Sequence, residues 1–261
     1  MSWTPRSERL GLREHGPYDG VPRHLERILT EWLGTHTDYD RLSFLAVRLG
    51  VTVPEYYTVR LETVWEQCDE DQRLDLLEGT LYLNDGTGAA QLRHILAAGG
   101  SALTVGPDDQ TLVDVVDPTV AQMAAEAARP GDAAAEELSA AWAAAFGRGP
   151  DPSDAWDHAI KAVENVLIPL AEPKNKEATL NSAVSAIANS PDRWQTTFPQ
   201  RETRDVEPIV GMLRMIWPNP DRHGGIDGAS RPPTLEEARA VVTLAASLVQ
   251  LGRSGDLVSR R

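Results

Sequence analysis

The stretch Thr234-Leu-Glu-Glu-Ala-Arg-Ala-Val-Val-Thr-Leu-Ala-Ala-Ser-Leu-Val249 indicates the fold class, because its apolar residues recur with helical spacing. Thr234 and Glu237 form a capping box at its start, a pattern that is typical of helix N-termini. The apolar positions fall on one face of this helix, and such a face must be buried against other elements. This pattern therefore predicts that the C-terminal end is built of packed helices. The apolar face consists of Leu235, Ala238, Val241, Val242, Ala245, Leu248 and Val249.

The same pattern extends back through the C-terminal half. A second helix is predicted to begin at Asp151-Pro-Ser-Asp154, with Pro152 in its first turn, and to end at Pro169 and Pro173. Together these segments predict that residues 121–261 form an antiparallel bundle of four or five helices. The other predicted helices are Ala121 to Phe146 with a break at Pro130-Gly131, Thr179 to Ala188, and a segment from Val206 to Trp217 with Asp205 as its cap.

Residues 1–120 predict a helical region with one small β-hairpin. Two β-prone runs, Ser101 to Val105 and Thr111 to Val116, flank the turn sequence Gly106-Pro-Asp-Asp-Gln110. A lone hairpin is marginally stable, so we expect it to pack on helices. The resulting fold class is mostly α, in two parts. The predicted helices carry Leu25 to Leu33, Leu42 to Leu49, Tyr56 to Cys68 after the capping box Thr52-Val-Pro-Glu55, Leu74 to Leu81, and Ala89 to Ala98.

Composition and charge limit the functions that the chain can have. Its net charge is −14, and residues 61–120 hold 2 basic and 12 acidic side chains, a balance of −10, which opposes non-specific binding to duplex nucleic acid. The single Cys68 excludes an internal disulfide and a zinc site built from cysteines. No apolar run approaches the ~18 residues of a membrane span, and the polar N-terminus is not typical of a secretory signal. These features favour a cytoplasmic protein that does not contact the membrane.

The segment Trp217-Pro-Asn-Pro-Asp-Arg-His-Gly-Gly225 is the strongest candidate for chemistry. It separates two amphipathic helices, and its prolines and glycines hold Arg222 and His223 in the connection. A histidine exchanges protons near neutral pH, and an arginine holds a phosphate or stabilises developing negative charge. This pair suits metal-independent RNA cleavage, in which the 2′-hydroxyl attacks the adjacent phosphorus. The alternative is a purely structural connection between two helices, in which Arg222 pairs with an acidic side chain and His223 caps a backbone carbonyl.

Residues 155 to about 253 resemble the C-terminal domain of abortive-infection proteins, in the HEPN superfamily. Three stretches carry the resemblance: Ala159-Ile-Lys-Ala-Val-Glu164, Leu213-Arg214 followed by Arg222-His223-Gly224, and the helix from Glu236 to Val249. The resemblance implies a dimeric helical bundle. Active members of that family are metal-independent endoribonucleases of toxin and phage-defence systems.

The resemblance also implies the catalytic residues. His223 matches the family histidine, and either Arg214, with eight residues between it and His223, or the adjacent Arg222 matches the family arginine. Glu164 matches an assisting polar residue on an earlier helix. The implied partners are RNA, a second copy of the chain through the C-terminal bundle, and a protein trigger or antitoxin. No cofactor is implied. Asp154 and His158 are four residues apart on one predicted helix, a spacing that suits a metal pair, but no third ligand is evident.

Two other functions remain open at this point. The bundle can serve as a non-catalytic dimerisation scaffold, with the N-terminal half binding a partner. Residues 42–65 resemble a helix-turn-helix of a DNA-binding regulator, whose recognition helix would begin near Pro54. This segment offers few donors for phosphates and bases, among them Arg48 and Arg60.

Overall fold

The protein divides into two compact units, Met1–Val115 (unit 1) and Val116–Arg261 (unit 2). The computed structural model describes Leu10 and residues 16–52, 59–198, 206–223 and 231–261. The predicted boundary between residues 120 and 121 falls inside the first turn of the helix Pro118–Ala128. The fold is mostly helical, with two small antiparallel sheets in the described part of the chain, which confirms the predicted fold class.

Unit 1 places five helices and a hairpin around one apolar core, as far as its described residues go. Trp32, Leu33, Leu77 and Leu92 are all buried in this core. The elements are α1 (Arg23–His36), α2 (Tyr39–Arg48), α3 (Leu61–Gln67), α4 (Glu70–Leu83), α5 (Ala89–Ala98), β1 (Leu103–Val105) and β2 (Leu112–Asp114). Residues 53–58, which include most of the predicted capping box before α3, lie outside the described residues.

The hairpin packs on α5, as the sequence predicts for a hairpin that needs support. The strands pair antiparallel, with Thr104 opposite Val113. Two helix side chains bind the hairpin where its strands meet the turn: Arg93 Nε donates to Val105 O at 3.1 Å, and Leu112 N donates to Glu78 Oε1 at 2.6 Å. The hairpin therefore belongs to unit 1.

Unit 2 is a helical bundle in which most of the longer described helices pack on one long helix. Six of its described helices have nine or more residues, which exceeds the predicted four or five. The elements are α6 (Pro118–Ala128), α7 (Ala133–Phe146), α8 (Pro152–Ala171), α9 (Leu180–Ala188), β3 (Trp194–Gln195), α10 (Glu207–Ile216), α11 (Pro220–His223), α12 (Leu235–Ser254) and β4 (Ser259–Arg260). The pairing of β3 with β4 was not predicted.

The core of unit 2 forms where α7, α8 and α12 pack together. Small side chains let these helices approach closely: Ala159 on α8 and Ala245 on α12 are fully buried. Trp142 on α7 is 1% exposed and contacts the ring of Phe146, with the two ring centroids 4.3 Å apart. We call this region the alanine-rich core. Within the described residues, α8 packs on α7, α9, α10 and α12, whereas α6 packs on α7 and α12.

Two predictions about helix ends need comment. The prediction that Pro169 and Pro173 end α8 holds to within this interval, because the helix passes Pro169 and ends at Ala171, before Pro173. Proline removes one backbone N–H, but in the last turn few bonds depend on it, and Glu172 N still donates to Ile168 O at 2.8 Å. Asp205, the predicted cap of α10, lies outside the described residues. No helix within the described residues is both long and apolar enough to cross a membrane.

Candidate functional site

The segment Trp217–His223, which we call the Arg–His segment, leaves α10 and forms a short helix. α10 ends at Ile216, and the backbone then extends at Trp217 before α11 begins at Pro220. Arg222 and His223 are the last two residues of α11, so one helical turn carries both. Their side chains and residues 224–230, which include the predicted Gly224-Gly225 turn, lie outside what the structure describes.

Buried polar contacts hold the Arg–His segment against the start of α8. Asn219 is only 1% exposed, and its Nδ2 donates to Asp157 Oδ1 at 2.7 Å and to Ser153 O at 3.2 Å. Directly before the segment, at the last residue of α10, Trp156 Nε1 donates to Ile216 O at 2.6 Å. Buried polar groups are costly unless they are hydrogen-bonded, so these contacts select one position for the segment. We call the group Ser153, Asp157 and Asn219 the polar anchor.

The polar anchor also fixes the beginning of α11. Asn219 Oδ1 accepts a bond from Asp221 N at 3.0 Å, and Ser153 Oγ donates to Asp221 Oδ2 at 2.8 Å. Asn219 therefore satisfies one of the N–H groups that a helix start leaves without a partner. The backbone that carries Arg222 and His223 is tied to α8 immediately before those residues.

The chain returns to the same place at Arg231. Arg231 N donates to Pro220 O at 3.3 Å, which closes the base of the connection. The Arg231 guanidinium donates to both carboxylate oxygens of Glu237, at 2.8 and 2.5 Å. These bonds and the bond from Thr234 N lower the pKa of Glu237 to about 2. The predicted capping box of α12 is present. It fixes the C-terminal end of the connection between α10 and α12, and the polar anchor fixes the N-terminal end.

Glu164 has a different neighbour from the one that the resemblance implies. Its Oε1 accepts a bond from Leu180 N at 2.6 Å, so it caps the first turn of α9. Burial raises the pKa of Glu164, against the lowering effect of the Leu180 bond and of Lys161. Glu164 lies seven residues beyond Asp157 on α8, or about 10 Å along the helix axis. The structure therefore places its carboxylate at the start of α9.

Arg214 lies on α10, before the residues that form α11. Its side chain is exposed to solvent. It lines a cavity of about 340 Å³ together with Asn189 and Glu207. Of the four predicted site residues, the described structure thus brings only Arg222 and His223 onto one element. Arg214 and Glu164 occupy other places in unit 2.

Sequence reasoning missed the polar anchor. One signal was present, since Asp157 interrupts an apolar face between Trp156 and Ile160, and a carboxylate at such a position needs a buried partner. The partner Asn219 is 62 residues away, so no local pattern connects the two. The sequence pattern around Ser153 predicts only the start of a helix and does not indicate a buried contact.

The pair Asp154 and His158 belongs to a cluster of polar side chains that also includes Glu137. His158 Nδ1 lies 2.5 Å from Glu137 Oε2, and His158 Nε2 lies 3.6 Å from Asp154 Oδ2. Within the described ranges, no group of three or more His, Cys, Asp or Glu side chains is arranged to hold a metal ion. The contacts of His158 are those of a histidine that links α7 to α8.

The predicted DNA-reading segment lies only partly within the described chain. Its first helix corresponds to α2, and residues 53–58, where the recognition helix was expected to begin, lie outside the described residues. Comparison of the chain with protein-family models, with curated protein sequences and with solved structures finds no match in any of the three.

Proposed function

We propose that this protein is a cytoplasmic, metal-independent endoribonuclease of the phage-defence or toxin type. His223 acts as the general acid and base, and Arg222 holds the scissile phosphate, with Arg214 as the alternative arginine. The observation that carries the proposal is the polar anchor. It gives a short turn bearing an Arg and a His a fixed position, although a simple connection between two helices needs no such contacts.

The proposed reaction needs only groups that this chain supplies. The 2′-hydroxyl of RNA loses its proton to His223 and attacks the adjacent phosphorus, while the bond from phosphorus to the 5′ oxygen breaks. The products are a 2′,3′-cyclic phosphate and a 5′-hydroxyl, because the leaving 5′ oxygen takes up the proton that His223 accepted from the 2′-hydroxyl. Arg222 stabilises the additional negative charge on the phosphoryl oxygens.

We extend the proposal to the assembly. The resemblance to the HEPN superfamily favours a homodimer through unit 2, with the two Arg–His segments facing one another, and a protein trigger or antitoxin that acts on unit 1. The acidic segment 61–120 then repels RNA until it is displaced. Light scattering of the purified protein measures its oligomeric state. A monomer at micromolar concentration contradicts the proposed homodimer.

Growth and RNA integrity in cells test the nuclease. Induction of the wild-type protein, with phage challenge as a second condition, should arrest growth and cleave RNA. His223→Ala should abolish both while folding and oligomeric state persist. His94→Ala in unit 1, where the side chain is exposed, is the matched control and should behave as wild type. Intact RNA from the wild type under both conditions contradicts the nuclease.

The competing function is a non-catalytic scaffold, and one observation favours it. Glu164, which the resemblance implies as an assisting residue, caps α9 instead. In the scaffold, the polar anchor shapes a surface for a partner, and His223→Ala leaves RNA unchanged. The growth experiment therefore separates the two functions, because only the nuclease predicts a phenotype that depends on His223.

A further inference from the structure

A cavity of about 650 Å³ opens in unit 1 between α2, α4 and the turn of the hairpin. Aromatic rings line it from two helices: Phe44 on α2 is 52% exposed, and Tyr82 on α4 is 68% exposed. Leu45 and Leu83 line it as well and belong to the apolar core or pack against it. Its volume falls in the range of sites that enclose a ligand or a peptide side chain.

The apolar surface continues beyond the cavity. Val47 is 79% exposed and follows Phe44 by three residues on α2, so the two side chains are neighbours on the helix surface. Large apolar side chains grouped at a concave site are typical of places where another molecule docks. Gly79 on α4 also lines the cavity and lets α2 and α4 pack closely beneath it, since a Cβ there would lie 2.4 Å from Leu45 Cδ2.

The charge around this cavity is predominantly negative. Three carboxylates line it, those of Asp75, Glu78 and Asp108, against one guanidinium, that of Arg48. The wider segment 61–120 carries a balance of −10. A molecule that docks here therefore meets apolar rings bordered by negative charge, which favours a partner with apolar and basic groups side by side.

We propose that this cavity is a docking site for a basic amphipathic peptide segment of a partner protein. An apolar side chain of that segment enters between Phe44 and Tyr82, and its Lys or Arg residues lie toward Asp75 and Glu78. Aromatic faces attract cations, so the two rings also tolerate a Lys or Arg at the rim. This is the helix-in-groove form of recognition, and it does not rest on RNA cleavage by unit 2.

Fluorescence anisotropy with the full-length protein tests this proposal. The probe is a short fluorescein-labelled peptide of Leu and Lys in amphipathic helical order, and its counterpart replaces Lys by Glu. We expect the Lys peptide to bind, with affinity that falls as salt is added, and the Glu peptide to bind at least about tenfold more weakly. Phe44→Ser with Tyr82→Ser should weaken binding about tenfold or more, and Asp75→Asn should reduce its salt dependence.

The matched control is Tyr39→Ser, on the same helix α2. Tyr39 is 57% exposed but does not line the cavity, so this change should leave binding unaltered. Circular dichroism should show the wild-type helix content in every variant, because the replaced rings are largely exposed. Equal binding of the Lys and Glu peptides, or unaltered binding in the Phe44→Ser, Tyr82→Ser variant, overturns the proposal. A dimer that this double variant dissociates in light scattering also overturns it, since the occupant is then a second copy.

Discussion

The alanine-rich core and the Arg–His segment meet on the same helix, α8, but different forces hold them. The core spreads its stabilisation over many close apolar contacts of α7, α8 and α12. The Arg–His segment depends on a few directional bonds to Ser153 and Asp157 at the start of α8, and Trp156 holds Ile216 immediately before it. The difference indicates that the fold of unit 2 and the position of α11 can be changed separately by mutation.

The largest effect on stability is expected in the core. Trp142→Ala removes a fully buried ring and leaves a cavity, at a cost of about 3–5 kcal/mol in the free energy of unfolding. Within the described residues, Trp142 Nε1 has no hydrogen-bond acceptor, so Trp142→Phe loses no such bond and should cost less. Urea denaturation measures both. A smaller loss in the Ala variant than in the Phe variant contradicts the proposed packing of this core.

The polar anchor should respond differently. Asn219→Ala leaves the buried Asp157 without this donor and should cost about 1–3 kcal/mol, with a disproportionate loss of any activity of the Arg–His segment. Asp157→Ala should have a similar effect. The double variant should lose less than the sum of the two, because they share one bond. A double-mutant cycle in urea, with Asp154→Ala as the control on the same helix, measures the coupling; strict additivity contradicts the anchor.

Two variants of Glu164 distinguish a helix-capping role from a catalytic role. Glu164→Ala removes the acceptor of Leu180 N and should cost about 0.5–2 kcal/mol. Glu164→Gln keeps an acceptor oxygen and removes a carboxyl group whose pKa burial raises. Because that raised pKa makes the ionised carboxylate unfavourable in the folded state, stability falls as pH rises through it, and Gln should abolish this fall. Thermal melts from acid to neutral pH test the cap. If RNA cleavage is lost in the Gln variant, Glu164 has a catalytic role.

The smallest effect on stability is expected at the Arg231–Glu237 pair, where the chain enters α12. The pKa of Glu237 is about 2 when folded, against an ordinary value of 4.5, so its contribution to stability is present above about pH 4.5. It should be lost as the pH falls from there to about 2. Glu237→Gln should make the acid loss of stability shallower in this window, and Glu236→Gln, an exposed neighbour on α12, should not. Acid unfolding followed by circular dichroism compares the two; identical slopes contradict the Arg231–Glu237 pair.

The sequence predicted the regular elements well because their signals are local. The predicted limits Ala89 to Ala98 are those of α5, and the predicted capping box at Thr234 is confirmed. The helix predicted from Thr179 to Ala188 begins at Leu180, directly after Thr179. α8 passes Pro169 and ends before Pro173, because a proline in the last turn costs few bonds. In each case the information lies within one or two turns of helix.

The candidate site could be predicted only in part. The residue types of the Arg–His segment pointed to chemistry, but its support by Asp157 joins residues that are far apart in sequence. The helical turn of α11 was also unexpected, because prolines at 218 and 220 indicate an irregular connection. Such long-range polar pairs follow from tertiary packing, which periodicity does not reveal.

Product analysis of RNA tests the central claim most directly. The protein is purified from phage-challenged cells and incubated with a labelled RNA oligonucleotide in excess EDTA, and the new ends are identified by mass. The account predicts 2′,3′-cyclic phosphate ends from the wild type, none from His223→Ala, and a strongly reduced yield from Asn219→Ala at wild-type helix content. Intact RNA with the wild type, or equal cleavage by His223→Ala, would contradict it.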